Sequence, residues 1–235
     1  MALTQAKRVQ IAIDGPAGAG KSSVAKIVAK RLSEADISKV SLGSFEYIDS
    51  GAIYRAVTKT FLDNGIDYND SEKVRSFLQT ITISLINNRV LINNIDLTDC
   101  IRTREVSQNV SPVSSNIDVR KKVNSFLNDY SKECNVIMDG RDITTVVFPN
   151  AKYKFYLDAS IEERANRRFL EKNSDMTLEE IKQNIAKRDE NDKNKPYGAL
   201  KIADDAVYID TTSLSMDEVV KQILTTIYNG EEHGV

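Results

Sequence analysis

VQIAIDGPAGAGKS, residues 9–22, is the stretch of this chain that decides its fold. A short apolar segment runs directly into a loop that fits the phosphate-loop pattern G-x-x-x-x-G-K-[ST]. The loop glycines direct consecutive backbone N–H groups at a polyphosphate, while Lys21 can reach the β and γ oxygens and Ser22 can hold Mg²⁺. Apolar residues continue at helical spacing after the loop, so a bound anion would lie at the positive end of a helix dipole. The stretch therefore predicts a strand, a nucleoside triphosphate loop and a helix.

Length and composition limit the other possibilities. The chain has 235 residues, enough for a full α/β core, with 32 Lys and Arg against 34 Asp and Glu. This nearly balanced charge disfavours a protein that coats nucleic acid or anionic membrane. The first residues lack the apolar stretch of a signal peptide, and no apolar run approaches the ~18 residues of a membrane span. We expect a soluble cytoplasmic protein with neither nucleic acid nor membrane as a partner.

Cysteine and histidine usage excludes several kinds of site. Cys100 and Cys134 lie far apart in the chain, and the single histidine, His233, lies in a polar tail. This set excludes disulfide scaffolds, His/Cys zinc sites and histidine-based catalytic triads. We expect both thiols to be reduced packing residues.

Predicted strands and helices alternate along most of the chain. After the phosphate loop, apolar strands are predicted at 45–49, 135–139, 152–158 and 206–210. Capping boxes of the form S/T-x-x-E predict helix starts at Ser160, Thr177 and Ser215. Further helices are predicted at 51–62 and 119–130. The alternation predicts an α/β fold with a parallel sheet covered on both faces and ligands at the carboxyl ends of the strands.

One region breaks this alternation. Within 81–97 apolar and polar residues alternate, and asparagine pairs occur at 87–88 and 93–94. Period-two patterning with such turns predicts a small antiparallel insert. The predicted domains are a core of residues 1–64 and 105–235 and an inserted β lobe of residues 65–104. The segment 33–46 is longer than a usual helix-to-strand connection, and no role is assigned to it.

Polar residues follow two of the predicted strands, where a second substrate could bind. Ser50 begins a helix, Arg55 lies about a turn and a half into it, and the sequence DGRD at 139–142 ends an apolar strand. Their place at the carboxyl ends of strands favours a binding site over a solvated turn. Asp139 also follows its strand as a Walker-B acid does, so it can hold Mg²⁺ through water.

Several segments together closely resemble the bacterial cytidylate kinases. They are IAIDGPAGAGKSSVAK, YIDSGAIYRAV, IRTREV with VSPVSSNIDVRKKV behind it, IMDGRDITTVVFPNAKYKFYLDASIEERANRR and KRDENDKN. The match spans nearly the whole chain. It implies the nucleoside monophosphate kinase form of the P-loop NTPase fold, with a five-stranded parallel sheet, an insert in the NMP-binding lobe and a helical lid at about 173–200. The resemblance also implies phosphoryl transfer from ATP to CMP and dCMP with Mg²⁺, and we expect a monomer.

The resemblance assigns roles to individual residues. For the ATP phosphates it implies Gly15, Pro16, Ala17, Gly18, Ala19, Gly20, Lys21, Ser22 and Ser23, and for Mg²⁺ it implies Ser22 and Asp139. For CMP it implies Ser50, Arg55, Ser111, Arg120, Arg141, Asp142, Arg188, Asp192 and Lys195. The catalytic residues that it implies are Lys21, Arg141, Arg164, Arg168 and Arg188. Within the CMP set, Ser111, Arg120 and Asp142 would face cytosine, Asp192 the ribose, and Arg55, Arg141 and Arg188 the phosphate.

Two positions depart from the family pattern. Lys195 stands where the family usually has an arginine, which replaces a planar bidentate fork by a point charge. Thr144 replaces a customary glycine, so the backbone directly after Asp142 is subject to a different constraint. Arg188, Asp192 and Lys195 are spaced i, i+4 and i+7, and a helix would place all three on one face.

The predicted chemistry needs no histidine. The second pKa of a monophosphate is about 6, so CMP presents an anionic oxygen at neutral pH. Three alternatives stay open, namely a kinase for another monophosphate such as UMP or AMP, a regulatory P-loop GTPase and a non-catalytic nucleotide-binding module. The chain lacks the guanine motif N-K-x-D. Its arginine clusters also suit a second phosphate substrate better than a switch region.

Overall fold

The computed structural model of the chain describes residues 8–34, 43–171 and 176–232. The predictions for the N-terminal residues and for His233 lie outside the described residues, as do parts of segment 33–46 and of the predicted lid. The strands are β1 Gln10–Asp14, β2 Phe45–Asp49, β3 Ile83–Ile86, β4 Arg89–Ile92, β5 Ile95–Asp96, β6 Asn135–Gly140, β7 Tyr153–Asp158 and β8 Val207–Asp210. The helices are α1 Lys21–Glu34, α2 Ser50–Asp63, α3 Ser71–Thr80, α4 Arg104–Ser115, α5 Ile117–Glu133, α6 Ile161–Glu171, α7 Leu178–Lys193 and α8 Met216–Glu232, and a π turn occupies Ile143–Val147.

The chain divides into two compact units, the first of which contains residues 1–47 and 131–235. A five-stranded sheet with the order β2-β6-β1-β7-β8 dominates this first unit. Strand β1 pairs in parallel with β6 and β7, and Asp14 lies opposite both Gly140 and Tyr156. The carboxyl ends of the three central strands therefore lie side by side. This arrangement confirms the predicted parallel α/β sheet.

The central strands are nearly continuous apolar runs because both faces of the sheet are covered. Ile11 and Ile13 of β1 and Phe155 of β7 are fully buried. They belong to one apolar cluster with residues of α1 and α8, including Val28 and Ile223. Within the described ranges, no helix combines the length and the apolar character needed to cross a membrane.

The second unit contains residues 48–130. Its three-stranded antiparallel sheet has the order β3-β4-β5, as the alternation within 81–97 predicts. The turns at 87–88 and 93–94 have positive φ at every asparagine, the conformation that two-residue hairpin loops need. Helix α2 packs on α4 and on β4. The predicted insert, 65–104, is thus one part of a larger packed unit.

Capping interactions begin several helices where the sequence predicts them. Thr177 and Glu180 form a complete capping box at the start of α7. Ser215 and Glu218 exchange the same pair of hydrogen bonds before α8. Helix α3 was not predicted, although Asp70 caps its first turn by accepting a hydrogen bond from Lys73 N.

Candidate active site

The predicted phosphate loop connects β1 to α1. Gly15 has a φ of 148°, and a Cβ at this position would lie 1.9 Å from the carbonyl oxygen of Leu157 in β7. Only glycine therefore lets the chain leave β1 so close to β7. Gly18 and Gly20 each have a φ of 82°. Helix α1 begins directly after the loop, which places a helix N-terminus where a phosphate would bind.

Lys21 is folded onto its own loop. Its side chain is buried, and Nζ donates a hydrogen bond to the carbonyl oxygen of Pro16 at 2.7 Å. Burial lowers the pKa of Lys21 to about 7, with a further lowering from the positive charge of Arg141. Asp139 and Asp14 oppose the shift by attraction. The amino group of Lys21 is thus held in a site that lacks the negative charge a polyphosphate would supply.

Two oxygens beside the loop suit a magnesium ion. Ser22 Oγ donates a hydrogen bond to Asp139 Oδ2 at 2.9 Å, and Tyr47 donates to Asp139 Oδ1 at 2.7 Å. Hydroxyl and carboxylate oxygens are ligands that Mg²⁺ accepts, with water completing its shell. The two predicted residues are therefore adjacent, and their donor set fits the predicted ion.

Asp192 gathers three predicted cations near the end of α7. It accepts a hydrogen bond from Arg141 Nε at 2.8 Å, and Lys195 Nζ lies 2.9 Å from its other oxygen. Arg188 Nε lies 4.0 Å from the carboxylate. Burial acts to raise the pKa of Asp192, but Arg141 and Lys195 outweigh burial and lower it. Lys195 makes its contact from beyond the last helical residue, Lys193, so the predicted helical face ends before Lys195.

Arg164 is buried beneath the phosphate loop. Its Nε donates to the carbonyl oxygen of Ala159 at 2.9 Å, and its Nη1 donates to the carbonyl oxygen of Ala17 at 3.0 Å. The same Nη1 pairs with Asp189 Oδ2 at 2.6 Å. Because Ala17 belongs to the loop, Arg164 supports the loop backbone.

Arg167 is a basic residue beside the loop that the sequence analysis missed. Its guanidinium donates to the hydroxyl and the carbonyl oxygen of Thr211, at 3.0 and 2.6 Å. Its Nη1 lies 4.0 Å from the position that a Cβ of Gly20 would take. Arg164, Arg167 and Arg168 are spaced i, i+3 and i+4, so helical periodicity was a signal for Arg167. Arg168 is partly exposed on the same helix.

Asp142 immediately precedes the π turn and lies two residues after the end of β6. Its residue is 5% exposed, and its carbonyl oxygen accepts hydrogen bonds from Val146 N and Val147 N. A buried carboxylate at the carboxyl end of a strand is an acceptor for an amino group. Asp142 therefore has the chemistry that recognition of cytosine N4 needs.

The second unit holds four predicted residues, of which two belong to α2. Ser50 is buried and is the first residue of the helix, while Asp49 is its N-cap and accepts from Ala52 N. Arg55 donates to Ser107 Oγ at 2.9 Å. The two residues are one and a half turns apart on the same helix, as the sequence predicts.

The other two predicted residues of the second unit are Ser111 and Arg120. Arg120 is 3% exposed and donates to the carbonyl oxygen of Ser114 at 3.0 Å. Its guanidinium carbon lies 5.5 Å from the centre of the Tyr54 ring. The carbonyl oxygen of Ser111 accepts hydrogen bonds from the hydroxyls of Ser114 and Ser115. Ser111 thus belongs to the end of α4, and Arg120 contacts the same end of that helix.

The parallel sheet, the glycine loop between β1 and α1 and the Ser22–Asp139 pair together define a P-loop nucleotide-binding protein. A solved structure, a gluconokinase from Sinorhizobium meliloti 1021, matches with a TM-score of 0.50 and 12% identity over 97% of each chain. At that identity the likeness shows the fold alone.

Sequence relatives define the family. The family model for cytidylate kinase matches residues 11–229. The cytidylate kinase of Halalkalibacterium halodurans is 44% identical over 93% of this chain and 96% of its own length. That of Fusobacterium nucleatum is 40% identical over 91% of this chain and 94% of its own length. The chain belongs to the cytidylate kinase family, which confirms the resemblance seen in its motifs.

Proposed function

We propose that this protein transfers the terminal phosphoryl group of ATP to CMP and dCMP, which produces ADP with CDP or dCDP. The observation that carries the proposal is membership of the cytidylate kinase family over residues 11–229. The proposal includes a monomer located in the cytoplasm. Analytical ultracentrifugation and cell fractionation test those two points.

On the ATP side, the loop residues 15–23 bind the phosphates through their backbone N–H groups and the start of α1. Lys21 leaves the Pro16 carbonyl and stabilises the charge on the phosphoryl group in transfer. Arg164 holds the loop in place, and Arg168 contacts the nucleotide phosphates from α6. The hydrogen bond from Lys21 to Pro16 supports this part of the proposal, because it shows that the buried amino group already lies in the loop.

Ser22 and Asp139 would hold Mg²⁺, Ser22 directly and Asp139 through water. Bound Mg²⁺ supplies charge neutralisation and orientation of the β and γ phosphates. The hydrogen bond between the two side chains supports this assignment, because it places both oxygens at one point beside the loop.

The proposed CMP residues include a cluster of cations and two carboxylates. Arg141, Arg188 and Lys195 bind phosphate, and Asp192 accepts from a ribose hydroxyl. Asp142 accepts a hydrogen bond from the cytosine N4 amino group. Uracil has a carbonyl oxygen at that position, so UMP would leave two acceptors facing each other without a donor. Unpaired polar groups of this kind discriminate strongly between substrates.

Four further residues complete the proposed CMP set by the family resemblance. Ser50 and Arg55 bind the acceptor phosphate, and Ser111 and Arg120 face the cytosine ring. An arginine can donate to the O2 oxygen that both cytosine and uracil carry. Arg120 therefore contributes to the affinity for either pyrimidine more than to the discrimination between them.

The reaction needs positioning and charge rather than a general base. The acceptor oxygen of CMP is already anionic at neutral pH. Catalysis therefore depends on bringing the two phosphates in line and on neutralising the charge between them. Lys21 is buried and Arg141 is partly buried. Both suit that task, because shielding from water strengthens the attraction of a cation for phosphate.

A coupled ADP-release assay with ATP and Mg²⁺ tests the proposal against CMP, dCMP, UMP, AMP and GMP. We expect CMP and dCMP to be the best acceptors. Lys21→Met should stay folded and lose about a hundredfold or more in kcat, as expected when one preorganised charge is removed from the transferring group. Faster turnover of UMP or AMP than of CMP would assign another monophosphate kinase. ADP release independent of any acceptor would assign a nucleotide hydrolase.

A further inference from the structure

Asp14 is a buried carboxylate to which the proposed mechanism gives no role. It is the last residue of β1, directly before Gly15 of the phosphate loop, and it is fully buried. Burial of a carboxylate is costly unless hydrogen bonds compensate. Three donors reach it, namely Ile143 N at 2.9 Å, Thr144 N at 2.7 Å and Thr144 Oγ1 at 2.6 Å. Both carboxylate oxygens are therefore occupied by donors from one segment.

That segment begins the π turn that follows Arg141 and Asp142. N–H groups at the start of a helical turn have no partner within the turn, and Asp14 accepts two of them. The carbonyl oxygen of Asp142 meanwhile accepts from Val146 N and Val147 N, at 2.9 and 3.1 Å. Single π turns are rare and occur frequently at functional sites. The shape of this turn thus depends on a side chain from a different strand.

Pairing with β1 fixes the position of β6 up to Gly140. Strands β1 and β6 run in register up to the pair of Asp14 and Gly140. Beyond that pair the chain leaves the sheet and carries Arg141 and Asp142. The Asp14 carboxylate therefore ties the segment after β6 to the residue that precedes the phosphate loop.

The environment of Asp14 determines whether its carboxyl group is ionised when it accepts these hydrogen bonds. Burial raises the pKa of Asp14 to about 6, the charge of Asp142 adds to the rise, and the hydrogen bonds from Thr144 and Ile143 oppose it. At pH 7.5 the side chain is therefore an ionised acceptor. An asparagine in its place would set an amide N–H against at least one of the three donors.

We propose that Asp14 and Thr144 are positioning residues, which hold Arg141 and Asp142 in place for the acceptor nucleotide with the phosphate loop as the fixed point. This inference rests on the proposed function, because it takes CMP as the acceptor. Neither residue touches the substrate. They act through the geometry of the segment that follows β6.

Three variants test the inference. Thr144→Val removes the hydroxyl at nearly constant shape, Thr144→Ser keeps it, and Asp14→Asn removes the charge. We expect Thr144→Val to raise KM for CMP by about five- to tenfold, with KM for ATP changed by less than about twofold. Asp14→Asn should have the larger effect, and Thr144→Ser should match the wild type. The ratio of kcat/KM for CMP to that for UMP should fall in the first and third variants, because Asp142 is displaced.

A purely structural role predicts a different pattern. Loss of folded protein lowers kcat for every acceptor in equal proportion and leaves the KM values and the CMP/UMP ratio unchanged. That pattern, or wild-type kinetics in Thr144→Val, would overturn the inference even if Asp14→Asn does not fold. Absence of CMP turnover in the wild type would overturn the proposed function and this inference together, so the two failures are distinguishable.

Discussion

At the scale of single residues, Lys21 links burial to nucleotide binding. Burial, followed by the charge of Arg141, lowers its pKa to about 7. In the free protein at pH 7.5 the side chain is therefore mostly neutral, and a bound triphosphate favours its charged form. We expect ATP·Mg²⁺ binding at pH 7.5 to take up roughly half a proton or more. Calorimetry in buffers of different ionisation enthalpy measures this uptake.

Lys21→Arg is the matched control for this measurement. Arginine keeps its charge at every pH in question, so proton uptake should nearly vanish in the variant. Equal uptake in both proteins would show that the proton goes to another group.

The lowered pKa of Lys21 also makes the stability of the folded chain depend on pH. Between about pH 7 and 10.5 the unfolded chain binds the Lys21 proton and the folded chain does not, so the contribution of Lys21 to stability rises with pH in that range.

Lys195 is the position where this chain departs from the family arginine. Its ammonium lies 2.9 Å from Asp192 Oδ1 in a largely buried setting. We expect Lys195→Ala to raise KM for nucleotide or to lower kcat by about tenfold, because a charge-assisted contact is lost. Lys195→Arg should equal or exceed the wild type, since a guanidinium adds a bidentate grip. Steady-state kinetics of the three proteins decide this, and identical constants would exclude a role in phosphate binding.

Residues with a local pattern could be predicted from the sequence, and residues with only distant partners could not. Lys21 and Ser22 follow a fixed spacing after glycines, so the sequence marks them directly. Asp14 was missed because its donors lie 129 and 130 positions further along the chain. Arg167 was missed although its helical spacing offered a signal. Arg167 pairs with the nearby Glu163, but the partner that brings it to the loop region, Thr211, lies 44 positions away.

At the scale of elements, we expect substitutions in the hairpin between β3 and β4 to change the stability of the protein without changing its activity. Asn87 and Asn88 have φ values of 51° and 62°, in the left-handed region. Asn88→Gly fits this turn, whereas Asn88→Val forces a β-branched residue into it at a cost of about 1–2 kcal/mol. We expect urea unfolding to show that loss only for the valine variant. The kcat with CMP should stay within about twofold in both variants, because the turn carries none of the proposed site residues.

The glycine variant supplies the control for this prediction. If Asn88→Gly keeps its stability but loses most of its kcat, the hairpin takes part in turnover. Unchanged stability in Asn88→Val would instead show that the turn relaxes to accept the side chain.

Periodicity predicted most elements and failed where two signals overlapped. The apolar runs of β1, β6 and β7 are strong because these strands are buried on both faces. Helix α3 was not predicted, because the alternation that follows it predicts a small antiparallel insert within 65–104 and the segment before the strands shows no comparably strong pattern. Its buried residues Val74 and Leu78 are spaced i, i+4, which was the available helical signal.

At the scale of the whole molecule, each of the two units is defined by packing between segments that are distant in sequence. The predicted boundaries of the insert, 65–104, mark a change in periodicity along the chain. The second unit, 48–130, also includes α2 and most of α5. Helix α2 packs on α4 and β4, and the sequence pattern of α2 alone does not reveal its partners. Packing of this kind cannot be read from one amphipathic stripe, because many apolar surfaces would satisfy it.

Phosphoryl transfer from ATP to CMP is the central claim for the whole molecule, and anion-exchange chromatography of one reaction mixture, with an assay for inorganic phosphate, tests it most directly. The mixture contains the protein, ATP, Mg²⁺ and equimolar CMP and UMP. We expect CDP and ADP to appear in equal amounts while UMP is largely retained. Formation of ADP with inorganic phosphate while CMP stays intact, or of UDP ahead of CDP, would contradict the claim.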